Sequence, residues 1–239
     1  MIDKGYTLDI PPHGYVRYVD HLGTDKRIVE AARVSYGSAA SKGDEADKKL
    51  IFYLFRNRHT SPFEQCNITF NIKMPIFVMR QLVRHRTFRL NEMSGRYTEF
   101  HDEFYYPEVW RVQDTKNKQG SLVDASDATW HKHNDVILKG LHQHVYRVYQ
   151  SLLLRGVAKE LARIVLPVSI YTEIYVNIDL HNLMHFLTLR LDEHAQLEIR
   201  QVARPMWHIM AELFPWTFEA FQKYKFKVEV ATLQSDDKG

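Results

Sequence analysis

Cysteine is nearly missing from this chain: Cys66 is the only one in 239 residues, so no disulfide can form within one copy. No hydrophobic run approaches the length of a membrane span, and Met1 to Pro12 lacks the apolar core of a signal peptide. Internal repeats and low-complexity segments are also lacking, which excludes solenoids and fibrous classes. Excess charge is small, because 32 Lys+Arg against 29 Asp+Glu leave +3. With a pI near 8.8, that is too mild a balance for bulk nucleic-acid binding but suits polyanionic small molecules such as nucleotides. What remains is an ordinary globular composition, 45% hydrophobic and 26% charged. It fits one domain over 1–239, expected in a reducing, cytoplasmic setting.

Helical spacing is clear over Lys26 to Ser35, with Asp25 near its start, and again over Glu45 to Arg56. Gly37 to Asp47 reads as the loop between them. His59-Thr60-Ser61-Pro62 ends the second helix, since a residue before proline disfavours the α region. Cys66 to Met74 alternates almost perfectly, which predicts a strand. Pro75 suits the first turn of a helix running to Phe88. On that helix Gln81, Arg84 and His85 fall at i, i+3 and i+4 and share a face.

Asn91 to Phe104 predicts a loop and then extended chain, and Arg111 to Ser126 a polar surface loop inserted in a single domain. Helices follow over Ala128 to Arg155, with Gly156 as the capping glycine, and over Lys159 to Leu166. Ile170 to Ile178 predicts a second strand. A long helix is expected from Leu180 to Leu213, with Asp179 as its N-cap and a kink or break at Pro205.

The densest chemistry lies between Arg84 and Tyr97. Arg84, His85, Arg86, Arg89 and Arg96 surround Glu92 and Ser94. So many cations repel one another unless an anion neutralises them, and planar guanidiniums bind phosphate in a bidentate fashion. Ser94 has no triad-type basic partner in sequence, so it reads as a binding and orienting hydroxyl. His181 and His185 lie four apart and share the spacing of a zinc helix, but Asn182 stands where hydrolytic zinc chemistry needs a general-base Glu. Cys66 falls on the apolar side of its strand with no base beside it, a poor place for a nucleophile.

The stretch Arg84-His85-Arg86 through Glu92, Ser94 and Arg96 resembles the signature of the flavin-dependent thymidylate synthases. So do His59-Thr60-Ser61-Pro62-Phe63-Glu64, Ala162-Arg163-Ile164-Val165-Leu166-Pro167, Leu189-Arg190 through His194, and Pro215-Trp216-Thr217. The likeness runs from Ala31 to Tyr224. It implies an α/β fold of the α+β type, a mainly antiparallel sheet flanked by long helices, assembled as a homotetramer with shared sites. It implies FAD as cofactor, NADPH and methylenetetrahydrofolate as co-substrates, and conversion of dUMP to dTMP.

Carried over residue by residue, the resemblance implies that Gln81, Arg84, Glu92, Ser94, Arg96, Arg163 and Arg190 contact dUMP. Arg190 and Ser94 become the catalytic candidates, Arg190 polarising a uracil carbonyl. Flavin contacts fall to Ser61, Glu64, Arg84, His85, Arg86, Asp179, His181, His185, Leu189, Arg190 and His194. His59 lies where the folate or nicotinamide stacks.

Three positions depart from the family pattern: Arg89 where a small residue such as Ser is common, and Asp179 and His181 where Asn and Arg are usual. A bulkier cation and a lost one would alter how flavin phosphates or adenine are held. No metal is expected, no nucleic acid and no membrane. Two other functions fit parts of the pattern: a nucleic-acid module using the basic 80–96 segment, and a metal-dependent nucleotide hydrolase built on His181, His185 and His194.

Overall fold

The protein is described by a computed structural model covering residues 2–37, 40–118, 120–123 and 128–225. Its strands are β1 (Thr7–Ile10), β2 (Gly14–Leu22), β3 (Asn67–Pro75), β4 (Arg89–Glu92), β5 (Arg111–Gln113), β6 (Ser121–Val123) and β7 (Tyr171–Asp179). Its α-helices are α1 (Asp25–Arg33), α2 (Asp44–Arg56), α3 (Ile76–Leu82), α4 (Ala128–Leu154), α5 (Lys159–Ala162), α6 (Leu180–Arg190), α7 (Leu197–Leu213) and α8 (Pro215–Tyr224). Five strands form one antiparallel sheet in the order β1-β2-β3-β7-β4, as the α+β expectation has it.

Alternation sets the two faces of this sheet. Ile68, Phe70, Ile72 and Met74 of β3 oppose Ile178, Val176, Ile174 and Thr172 of β7, and all are buried. They meet Leu183 and Leu187 of α6, Met206 and Met210 of α7, and Phe221 of α8 in one core. The other face is polar: Tyr15 donates to Asn71 at 2.9 Å, and Asn71 donates to Glu173 at 2.9 Å. A smaller core ties α4 to the body through Tyr149, Phe100, Phe104 and Ile170.

Several elements differ from the expectation, each for a physical reason. β1 and β2 occupy a start that reads as merely polar, because only Val16 and Tyr18 of β2 face the core among those strands' deeply buried apolar side chains. Pro75 ends β3 rather than entering a helix, and α3 stops at Leu82, so Arg84, His85 and Arg86 lie in turns. Arg89 to Glu92 is an edge strand rather than loop. The polar 111–123 stretch closes as the β5–β6 hairpin; the end of the expected loop, Ser126, lies outside the described residues, as do residues 38 and 39 of the 37–47 loop.

The helix expected over Leu180 to Leu213 breaks at 191–196, not at Pro205, which sits buried inside α7. Asp192 explains the break: its Oδ1 accepts the His194 backbone N–H at 2.9 Å, offering the chain a turn in place of helix. Around Pro205, buried packing from Ile199 to Leu213 outweighs the one lost backbone bond. Gly156 does close α4 with a left-handed φ of 79°, and Asp179 does cap α6, accepting from the Asn182 N–H at 2.9 Å. Pro215 opens α8, a helix that the sequence pattern does not announce.

Candidate active site

Edge strand β4 aims the signature. Its register pairs Leu90 with Val176 and Glu92 with Ile174, so Glu92 points to the helix side of the sheet, and Arg89, opposite Asn177, points to the polar side. Glu92 accepts from the Thr172 hydroxyl at 2.7 Å, which fixes its carboxylate. Arg89 donates to Asn177 at 3.1 Å. The cation that departs from the family pattern is therefore turned away from Glu92 and does not crowd the signature.

Beyond β4 the chain turns through Ser94, whose Oγ accepts the Arg96 backbone N–H at 3.3 Å. Gly95 is required there by close approach: a Cβ would stand 2.4 Å from a Phe100 ring carbon and 3.0 Å from Cδ of Arg163. That contact brings the 159–165 segment against the signature. Glu92, Ser94, Arg96 and Arg163 line one cavity of about 340 Å³, with Ile76, Met93, Phe100 and Leu166 as its apolar part. Arg96 donates to Glu160 at 3.2 Å, both half in solvent. Exposed pairs of this kind contribute about 0–1 kcal/mol, so an incoming anion displaces Glu160 at small cost.

A second group forms where the turn after α3 meets the end of α6. Arg190 Nε donates to His85 Nε2 at 2.9 Å, and the His185 ring lies 6.3 Å from that of His85. Burial first, then the Arg190 charge and His185, push the His85 pKa down to about 4. The ring is thus neutral near pH 7, and because Nε2 accepts from Arg190 its proton resides on Nδ1. Arg84 and Arg86 flank this pair, exposed and without an ion-pair partner among the described residues. The turn after α3 and the end of α6 thus meet at His85 and Arg190.

His59 and His181 share a third cavity of about 220 Å³ with Thr60, Phe63 and Met184. Ser61 and Glu64 lie exposed on the adjoining turn before β3. The Asp179 carboxylate is occupied as a cap, taking both the N–H and the side-chain amide of Asn182. Leu189 is 46% exposed at the end of α6. His194 is not on the α6 face with Arg190: it lies in the 191–196 break, its ring 2.9 Å from Asp192. No hydrogen bond or ion pair among the described residues joins the Glu92–Arg163 cavity to the His85–Arg190 pair.

Gln81 introduces residues that sequence reasoning missed. Its amide donates to Gln196, Gln196 donates to Glu198 at 2.8 Å, and Glu198 accepts from Tyr105 and Arg111. The signal was present: Glu198 falls on the apolar stripe of α7 with Val202, Pro205 and Ile209, where an unpaired carboxylate would not be tolerated.

The rival functions lack structural support. Among the described residues no three His, Cys, Asp or Glu side chains are placed to hold a metal ion. No helix among them is long and apolar enough to cross a membrane. A larger cavity, about 550 Å³ between α2 and α8, holds none of the expected site residues, and its Lys48 and Lys49 are paired with Glu219 and Glu45.

Comparison with known proteins decides among the readings. Residues 17–216 match the family model described as thymidylate synthase complementing protein. The chain is 48% identical over 221 residues to the flavin-dependent thymidylate synthase of Thermus thermophilus, covering 91% of this chain and 79% of that one. It is 49% identical over 214 residues to the one from Kosmotoga olearia, covering 89% and 92%. This chain belongs to the flavin-dependent thymidylate synthase family. The fold agrees as well: the crystal structure of PolB, a UMP/dUMP methylase from Streptomyces cacaoi bound with 5-Br dUMP, superposes with a TM-score of 0.82 at 36% identity, covering 89% of this chain and 96% of that one.

The expectation that Cys66 is a poor nucleophile also agrees with the structure. Cys66 is buried with its thiol directed at the Thr24 carbonyl, and burial pushes its pKa up to about 12. Little thiolate exists at neutral pH, so the chain has no nucleophile of that kind.

Proposed function

We infer that this flavin-dependent thymidylate synthase converts dUMP to dTMP, with methylenetetrahydrofolate as carbon donor and NADPH as reductant of FAD. The observation that carries the reading is the cavity in which Glu92, Ser94, Arg96 and Arg163 gather within reach of the Gly95 turn. Two guanidiniums beside a hydroxyl and a fixed carboxylate match a nucleotide monophosphate: charge for the phosphate, neutral polar edges for sugar and base. Arg190 is the catalytic candidate, its guanidinium polarising a uracil carbonyl as negative charge develops on the ring. Neutral His85 takes the Arg190 Nε–H and so holds that side chain in place without competing for its charge. Ser94 binds and orients, since its hydroxyl faces a backbone N–H and no base.

The donor set suits a flavin dinucleotide. Arg84 and Arg86, exposed and without an ion-pair partner among the described residues, would offer guanidiniums to a pyrophosphate; His181, Ser61 and Glu64 would add polar contacts near the His59 cavity, and His185 beside His85. When bound, the flavin supplies hydride, which side chains cannot. His59, exposed and edge-on to Tyr53 at 5.8 Å, would meet a flat co-substrate. The single-chain cavities, about 340 and 220 Å³, sit at or below the low end of the roughly 300–1,000 Å³ of ligand pockets. A dinucleotide and a nucleotide together exceed them, which supports sites completed by other copies in a homotetramer.

The test is product formation. Purified protein supplied with FAD, NADPH, methylenetetrahydrofolate and dUMP is expected to release dTMP, with UMP as the control substrate. Absence of dTMP with flavin bound would refute the reading.

A further inference from the structure

Among the described residues, Arg58 is the one non-glycine with a left-handed backbone, at φ 58°. L-residues occupy that region at a cost that glycine escapes. The end of α2 demands it: the Arg58 N–H donates to the Phe55 carbonyl at 3.1 Å and the His59 N–H to the Leu54 carbonyl at 2.9 Å. That pair of bonds closes a helix only when the residue at the Arg58 position turns left-handed, and glycine is the usual choice there. α4 ends in the same two bonds, Gly156 to Leu153 at 2.9 Å and Val157 to Leu152 at 3.0 Å, and at that end the chain does use glycine. Arg58 therefore holds a strained position that this protein fills with glycine elsewhere.

Strain kept at a helix end points to use of the side chain. Arg58 lines the 220 Å³ cavity together with His59, and the same turn sets the backbone of both. It is exposed, and no side-chain hydrogen bond or ion pair among the described residues engages its guanidinium. Lys225, at the end of α8, is a second exposed cation on the same cavity, whose lining includes Phe63 and Met184 but no carboxylate. Apolar walls beside unanswered cations fit a ring that carries an anionic tail. We propose that Arg58 binds the anionic tail of the co-substrate whose ring lies at His59, and that this contact is why an arginine stands where the turn calls for glycine. Two co-substrates carry such tails, the folate its glutamate carboxylates and the nicotinamide dinucleotide its phosphates, and a planar guanidinium takes either in a bidentate pair.

This inference rests on the proposed function, which supplies the co-substrates, and the experiment separates the two. Arg58→Gly relieves the backbone and removes the charge together, so Tm is expected to rise by about 2–4 °C. In FAD-loaded protein, calorimetry with tetrahydrofolate and with NADP+ is expected to show the Kd of one of them, or of both, raised about tenfold. The matching KM should rise in step while kcat at saturation changes less than about twofold. Weakening confined to tetrahydrofolate assigns the carboxylates, and weakening confined to NADP+ assigns the phosphates. Arg58→Ala keeps a Cβ at the strained φ, so it is expected to lose the same affinity without the gain in Tm. Arg58→Lys retains a cation and should lose only about threefold.

An Arg58→Gly enzyme with a raised Tm and unchanged affinity for both probes would overturn the inference and leave Arg58 a solvated helix-end residue. A loss confined to FAD would overturn it too, since the guanidinium would then serve the flavin. Wild-type protein that binds either probe but forms no dTMP with flavin bound would refute the proposed reaction, and the Kd comparison would still decide the role of Arg58.

Discussion

Replacing Gly95 by alanine tests the join between the signature turn and the 159–165 segment. The added Cβ would lie 2.4 Å from Cε2 of Phe100 and 3.0 Å from Cδ of Arg163. Carbon atoms prefer roughly 3.5–4.0 Å, so the ring must retreat by about 1 Å or more. Phe100 has little room: it is 8% exposed, its N–H donates to the Tyr149 hydroxyl at 3.2 Å, and its carbonyl accepts from Tyr146 at 3.1 Å. Forced overpacking of this kind costs about 1–3 kcal/mol. At roughly 2–4 °C per kcal/mol for a domain of this size, Tm should fall by about 2–12 °C. Arg163 must move too, and a misplaced contact of about 1 Å weakens function by up to ~100-fold. We therefore expect the dUMP KM to rise by about tenfold or more. Gly140→Ala is the control: a Cβ there meets nothing within 4 Å, and on α4 it should stabilise by about 0.5–1 kcal/mol. Thermal melts and dUMP saturation curves read both. A Gly95→Ala enzyme with wild-type Tm and KM would refute the packing argument.

Acid should loosen the fold through His85. Its folded pKa, about 4, lies below the ordinary 6.5, so the unfolded chain takes up the proton first and stability falls as pH drops from about 6.5 to about 4. Denaturant titrations at several pH values should show a smaller acid loss in His85→Gln than in wild type; identical pH slopes would count against it. Arg33→Met should cost about 3–5 kcal/mol, because it strands Asp47, 0% exposed, whose partner now sits at 2.5 Å. Urea unfolding would read that loss, and a change below about 1 kcal/mol would show that Ser41 and Lys42 suffice to hold the carboxylate. Asp25→Ala should cost about 2 kcal/mol, as the carboxylate takes the N–H groups of Trp216 and Thr217 at the start of α8. An unchanged melting temperature would contradict that capping role.

Strong local patterns were legible. β3 and β7 announce themselves by alternation, α2 and α4 by spacing, and Asp179 and Gly156 by their chemistry at helix ends. Elements whose identity comes from partners were not: β4 is a strand only because β7 lends it hydrogen bonds, and β1 only because β2 does. Pro205 misled because local propensity yields to burial, and Asp192 was silent because the turn it makes depends on its own side chain.

The site divides along the same line. The residue types between Arg84 and Arg96 suffice to predict a phosphate-binding cluster from sequence. The shared pocket of His59 with His181, the pairing of His85 with Arg190 and the Gln81–Gln196–Glu198 relay needed the fold, because each joins positions over a hundred residues apart or, for the relay's carboxylate, hides on an apolar stripe.

Adding dUMP to the FAD-loaded protein and recording the visible absorption is the most direct test of whether the arginine-rich turn and α6 build one shared pocket. If they do, the nucleotide perturbs the flavin band in wild type, and Arg190→Met abolishes the perturbation while the flavin stays bound. A protein that binds dUMP by calorimetry and shows an unmoved flavin spectrum would place the two ligands apart and contradict the account.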